Sequence, residues 1–169
     1  MRTIALLLMG ICCAMTGRYI AHKLSCRVRL LEKAEMMISI ICSEISYVAL
    51  PSDQIITLLL RKNELSDLTF LISCNEYLKD GEDFPVAWDK SLKGRNFKLF
   101  LNRKDIDLLR DFGRGFGITD CEGQISLCRL YIDMLRIKRD EAIKEKEQYA
   151  APAAALGFLL GIALIVIIL

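Results

Sequence analysis

Histidine occurs once in this chain of 169 residues, at His22, and there are only three prolines. A single imidazole beside Lys23, with no Cys or Asp at ligand spacing, is an interfacial residue rather than a metal ligand or a catalytic base. Any Ser-His-Asp or Cys-His system would have to be built on this one residue. The seven cysteines, Cys12, Cys13, Cys26, Cys42, Cys74, Cys121 and Cys128, contain no C-x-x-C pair and no zinc-ligand spacing. Their odd number and their places on apolar helical faces indicate buried free thiols in a reducing compartment rather than a disulfide framework. The formal net charge of +2 is near balance and argues against a nucleic-acid binder selected for overall positive charge. Internal repeats, low-complexity tracts and Gly/Ser-rich linkers are missing. Pro51, Pro85 and Pro152 each stand at a helix start or a membrane entry, which suits an all-helical chain.

Charge is also missing from two long stretches. From Gln148 to Leu169 no side chain is charged, and at about 1.5 Å per residue a helix of that length reaches roughly 33 Å, enough for a hydrocarbon core of about 30 Å. Residues 150–169 are therefore expected to form a C-terminal transmembrane helix. Residues 3–17, TIALLLMGICCAMTG, are uncharged too but reach only about 22 Å. With no A-x-A site before Arg18, they read as an uncleaved, tilted N-terminal membrane segment in preference to a signal peptide. Arg18, Lys23, Arg27, Arg29 and Lys33 follow the first segment, and Arg136, Lys138, Arg139, Lys144 and Lys146 precede the last. By the positive-inside rule, both flanks place a central domain, residues 18–147, in the cytoplasm. The expected fold class is all-α, a helical bundle flanked by N- and C-terminal transmembrane helices. Gly157 and Gly161 are small residues that permit close helix packing within the last span.

Inside the central stretch, Leu31, Ala34, Ile38, Ile41, Ile45 and Val48 recur at steps of three and four, the period of one helix face. Pro51 ends that helix and opens a second with Ile55, Ile56, Leu59 and Leu60. A third is expected over Leu65 to Lys79, closed by Gly81, and a short fourth begins at Pro85 and carries Trp88 and Leu92 as far as Gly94. Asn102 caps a fifth helix, which stops in the turn of Gly113, Gly115 and Gly117. Thr119 and Glu122 have capping-box spacing for a long helix beginning near Asp120, with Ile125, Cys128, Ile132, Leu135 and Ala142 on its apolar face. Its last third is almost wholly charged and reads as a stalk.

Other motifs reduce to structural roles. The run Gly113-Arg114-Gly115-Phe116-Gly117 lacks the Lys followed by Ser or Thr of a phosphate loop, so a tight interhelical turn is the better reading. Asp105, Asp107 and Asp111 form a solvated face rather than a cation site. The basic cluster Arg18 to Lys33 is explained by membrane orientation and anionic headgroups, with partner docking as an added reading.

In order and spacing the chain resembles the stage III sporulation protein AB family of spore-forming bacteria. The likeness rests on Thr16-Gly17, on Glu44-Ile45-Ser46-Tyr47 followed by Pro51, on Trp88, on Phe112-Gly113 with Gly117, Asp120 and Gln124, and on Leu156-Gly157 with Gly161. The helical domain of that family is similar to the cytoplasmic domains of the platform subunit in type II secretion and type IV pilus machines. The resemblance implies a non-enzymatic assembly role in a channel complex between mother cell and forespore, in the mother cell membrane around the forespore. Its implied partners are the membrane, a cytoplasmic secretion-type ATPase of the same operon and other sporulation channel proteins, with a homo-oligomer open. No nucleic acid and no cofactor is implied. Glu44 with Tyr47, and Asp120 with Gln124, are expected to present polar groups from shared helix faces, either to a partner or as braces of the bundle. A membrane-tethered adaptor unrelated to secretion is the rival reading, and an enzyme a distant third.

Overall fold

Apolar residues spaced at three and four keep a chain helical, and every regular element among the described residues of the computed structural model is a helix. The structure describes the backbone of residues 2–48 and 52–168, and the side chains of 15–47, 54–94, 97 and 99–149. The elements are α1 (Arg2–Val48), α2 (Ser52–Leu60), a 3-10 turn at Asn63–Leu65, α3 (Phe70–Lys79), α4 (Phe84–Ser91), α5 (Arg95–Phe100), α6 (Arg103–Gly115) and α7 (Cys121–Ile168). They divide into two compact units, one of Met1–Val28 with Asp140–Leu169 and one of Arg29–Arg139.

The larger unit holds the bundle core. Leu31, Ala34, Ile38, Ile41 and Ile45 of α1 are buried, as the period predicts, and so are Ile55, Ile56 and Leu59 of α2. At α3 the outcome differs from the sequence expectation. Leu65 belongs to the 3-10 turn and helix resumes only at Phe70, with Leu65 and Leu68 both buried in the segment between. Gly81, at φ 86°, turns the chain after α3 as expected. The short helix α5 was not foreseen; its core contribution is Phe97, which stacks on Phe70 at 5.0 Å between ring centres.

Trp88 of α4 is fully buried at the junction of α3, α4 and α6. Phe70 meets it edge-on at 5.1 Å, Phe84 lies at 5.4 Å and Phe112 at 5.9 Å. Its indole Nε1 donates to the Leu109 carbonyl at 2.8 Å, which satisfies the one polar atom that burial would otherwise leave bare. Phe112 extends the cluster to Tyr131 of α7 at 5.5 Å.

The N-termini of α6 and α7 are both capped by side chains. Asn102 accepts from the Asp105 backbone N–H at 2.9 Å while Asp105 accepts from that of Asn102 at 3.2 Å, a reciprocal capping box. Asp105 is buried by this role, so it leaves the solvated acidic face on which the sequence placed it. Asp107 pairs with Arg110, and Asp111 lies 3.8 Å from Arg114. At α7 the cap is Asp120 rather than Thr119, since Asp120 Oδ1 accepts from the Gly123 N–H at 3.0 Å. Gly117 has φ 83° in the turn between them. Gly113, in contrast, lies inside α6 and serves packing.

In the smaller unit, Arg27 of α1 forms an ion pair with Glu145 of α7, and Ala142 is buried. His22 Nε2 lies 3.4 Å from Cys26 Sγ, one helical turn on, so a thiol does stand at helical spacing from the imidazole, against the sequence expectation, although the two belong to no larger cluster among the described residues. Among the described residues no helix is long and apolar enough to cross a membrane. The side chains of the two apolar stretches, 3–17 and 150–169, lie outside the described residues except for Met15, Thr16 and Gly17.

Candidate functional site

Glu35 is placed on the edge of the buried stripe of α1, next to Ala34 and one turn from Leu31 and Ile38. From there its carboxylate reaches α7, where Arg139 Nη1 lies 2.6 Å from Oε2 and Arg136 Nη2 lies 3.3 Å from Oε1. The two arginines are three apart, so one turn of α7 presents both to a single carboxylate. This clasp forms one wall of an open groove of about 480 Å³ between α1 and α7. Met36, Ile40 and Ile132 supply its apolar surface, and Glu32, Glu44 and Lys62 stand around it.

Glu44 is therefore a groove residue. Tyr47, one turn on, lies away from the groove lining and is 87% exposed at the end of α1. An aromatic ring left that open contributes nothing to the core, in contrast to Trp88 or Phe112. Asp120 and Gln124 work as braces: Asp120 caps α7, and Gln124 Nε2 donates to the Thr119 carbonyl at 3.0 Å. The Cys121 thiol donates to the Ile45 carbonyl at 3.5 Å, which brings the start of α7 to the end of α1. The two residue pairs singled out from sequence thus share one end of the larger unit, although one pair lines and edges a groove and the other closes a helix. Gly157 and Gly161 have side-chain positions outside the described residues.

Sequence reading missed Glu35, Lys62, Arg136 and Arg139 as groove residues. The available signal was a carboxylate flanking an apolar stripe on one helix and two arginines one turn apart on another, whose meeting depends on the packing of α1 against α7. The basic flank is also partly engaged within the chain: Arg27 holds Glu145 and Arg29 lies 3.3 Å from Asp67.

The groove offers recognition surface rather than reactive groups. Among the described residues no cluster of three or more His, Cys, Asp or Glu side chains is placed to hold a metal ion. Burial pushes the thiols of Cys74 and Cys128 up to about 12, and a thiol held protonated is a poor nucleophile. Elsewhere in the unit, Asp89 joins α4 to α6 through Arg110 at 2.7 Å and pairs with Lys93 at 2.9 Å. The hydrogen bond from Lys93, helped by Arg110 and opposed by partial burial, holds its carboxyl below the usual range.

No curated protein and no solved structure matches the chain. The family model of stage III sporulation protein AB matches residues 2–169. The pieces that carry the likeness, Glu44 to Tyr47, Trp88, Phe112-Gly113 and Asp120 with Gln124, occupy the groove edge, the aromatic core and the cap of α7. The chain belongs to the stage III sporulation protein AB family.

Proposed function

We propose that this sporulation protein is a non-enzymatic assembly platform, anchored in the mother cell membrane around the forespore by residues 3–17 and 150–169. Its helical domain faces the cytoplasm and couples a secretion-type ATPase of the same operon to other proteins of the sporulation channel. The observation that carries the reading is the open groove between α1 and α7, with Glu44 in its lining and the exposed Tyr47 beyond it. A mixed surface of apolar floor and charged rim, without metal-ligating clusters or an activated nucleophile among the described residues, suits protein docking better than catalysis. The uncharged runs and their basic flanks support the anchoring and its direction.

The test is binding of the ATPase to the full chain reconstituted in bilayer nanodiscs. Wild-type chain is expected to retain the ATPase, and Glu44→Lys together with Tyr47→Ala to lose most of that binding while melting at the same temperature as wild type. Retention by the double variant would remove the groove from the interface, and failure of the wild-type chain to bind would overturn the coupling role.

A further inference from the structure

The outer face of α7 carries a feature that neither the core nor the groove uses. Leu130 is 56% exposed, Met134 40% and Ile137 59%. Their steps of four and three are those of a coiled-coil seam. At about 100° per residue they lie roughly opposite Cys128 and Leu135, which are fully buried, so the stripe points away from the bundle. Gln, Asn or charged residues would be the ordinary occupants of such a face.

We infer that a second copy of this chain docks along this stripe in parallel orientation, forming a short two-stranded seam through α7. The argument for this occupant is charge complementarity. Asp133 and Lys138 border the stripe on opposite flanks and are five residues apart. In a parallel pair the residue before the seam on one helix meets the residue five positions on in its mate. Asp133 of each copy then faces Lys138 of the other, and two opposite-charge crossings close the seam. An antiparallel pair sets like flanks together, acid against acid. Within its own chain Asp133 lies 3.6 Å from Arg136, an exposed pair that holds it only weakly. The ammonium of Lys138 has three donors and can serve its own chain and a second carboxylate together.

The seam is short, because Glu141 occupies the next position along it. Two turns of apolar contact fall far below the roughly 800 Å² per partner of standard stable complexes, so the association is weak in dilute solution and depends on local concentration.

The experiment is site-specific photo-crosslinking of the full chain in bilayer nanodiscs large enough for two copies. A benzophenone amino acid replaces Met134 in one preparation and Ile72, 52% exposed on α3, in another. Crosslinked dimer is expected from position 134 and not from 72. No dimer at 134, or equal dimer at both positions, overturns the inference; dimerisation through any other surface also leaves position 134 unlinked. In the position-134 background, Asp133→Lys and Lys138→Asp are each expected to lower the yield several-fold, and the two together to restore it. Failure of either single variant to lower the yield, as an antiparallel pair with like flanks in contact would give, overturns the parallel seam, as does failure of the double variant to recover. Unchanged melting of each variant accompanies the readout, and if a charge variant unfolds, the comparison of positions 134 and 72 still decides.

Discussion

A Cβ added to Gly113 would lie 2.1 Å from Cδ1 of Trp88 and 2.4 Å from both Cγ and Nε1. The indole is pressed flat against a residue of α6 that has no side chain to obstruct it. From that position it reaches the Leu109 carbonyl, one turn earlier on the same helix. Helix–helix distance at the α4–α6 crossing is thus set by a glycine that the helix itself does not need.

Gly113→Ala follows directly. Alanine favours helix locally by about 1 kcal/mol, but here its methyl must displace a fully buried indole, and overpacking of that kind costs about 1–3 kcal/mol with loss of the indole hydrogen bond adding about 1 kcal/mol. Net destabilisation is expected, read as a lowered melting temperature by circular dichroism. A variant as stable as wild type would show that α4 and α6 separate freely.

Asp120→Ala removes the side-chain cap of α7 and is expected to cost about 1 kcal/mol, whereas Asp120→Asn retains an acceptor and costs much less. Amide exchange should accelerate at Gly123, whose N–H loses its acceptor. ATPase binding unchanged in both variants would assign Asp120 to bracing alone.

Glu35→Gln leaves Arg136 and Arg139 facing a neutral amide. Removing the carboxylate from a partly shielded two-arginine network is expected to cost about 1 kcal/mol, with the difference from wild type shrinking at high salt. Denaturant unfolding of the full chain at low and high salt measures both. An identical penalty at the two salt concentrations would contradict an electrostatic clasp.

Titration provides a further test from each side of neutrality. The Asp89 carboxyl is depressed in the folded state, so its contribution is present above its unfolded pKa of about 3.9 and is lost as pH falls through the lower folded value. Asp89→Asn should therefore flatten the acid limb of stability against pH. Cys74 and Cys128 are raised to about 12 by burial, the latter also by its neighbour Cys42. Burial chiefly, and then Asp111, raises the Tyr131 phenol as well. Their contributions are complete below their unfolded values of about 8.5 for Cys and 10 for Tyr, and are lost as pH rises through the folded ones. Cys74→Ala with Cys128→Ala should weaken the alkaline fall in stability, measured as melting temperature between neutral pH and pH 11.

The helical register of α1, α2 and α7 was legible because one buried face imposes a period of three to four, and Leu31, Ile38, Ile41, Cys128 and Leu135 obey it. Asn102 and the positive-φ Gly81 and Gly117 were legible too, since capping and left-handed backbone are local chemistry. Local rules failed where a distant partner decided the matter. The 3-10 turn at Asn63–Leu65 stands where periodicity alone reads helix, the buried Asp105 follows a cap that closes against the core, and Gly113 answers to Trp88 rather than to a turn.

By itself the sequence determined an all-helical chain, its apolar ends with their basic flanks, and membership of its family, all of which depend on composition, period and order along the chain. Only the tertiary structure decided which charged residues meet. Glu35 lies 101 and 104 positions from Arg136 and Arg139, and their contact arises from the packing of α1 on α7, which no spacing within either helix encodes. For the same reason Glu44 became part of a groove while Asp120 became a cap: residue type was common to both, and the neighbour brought by folding was not.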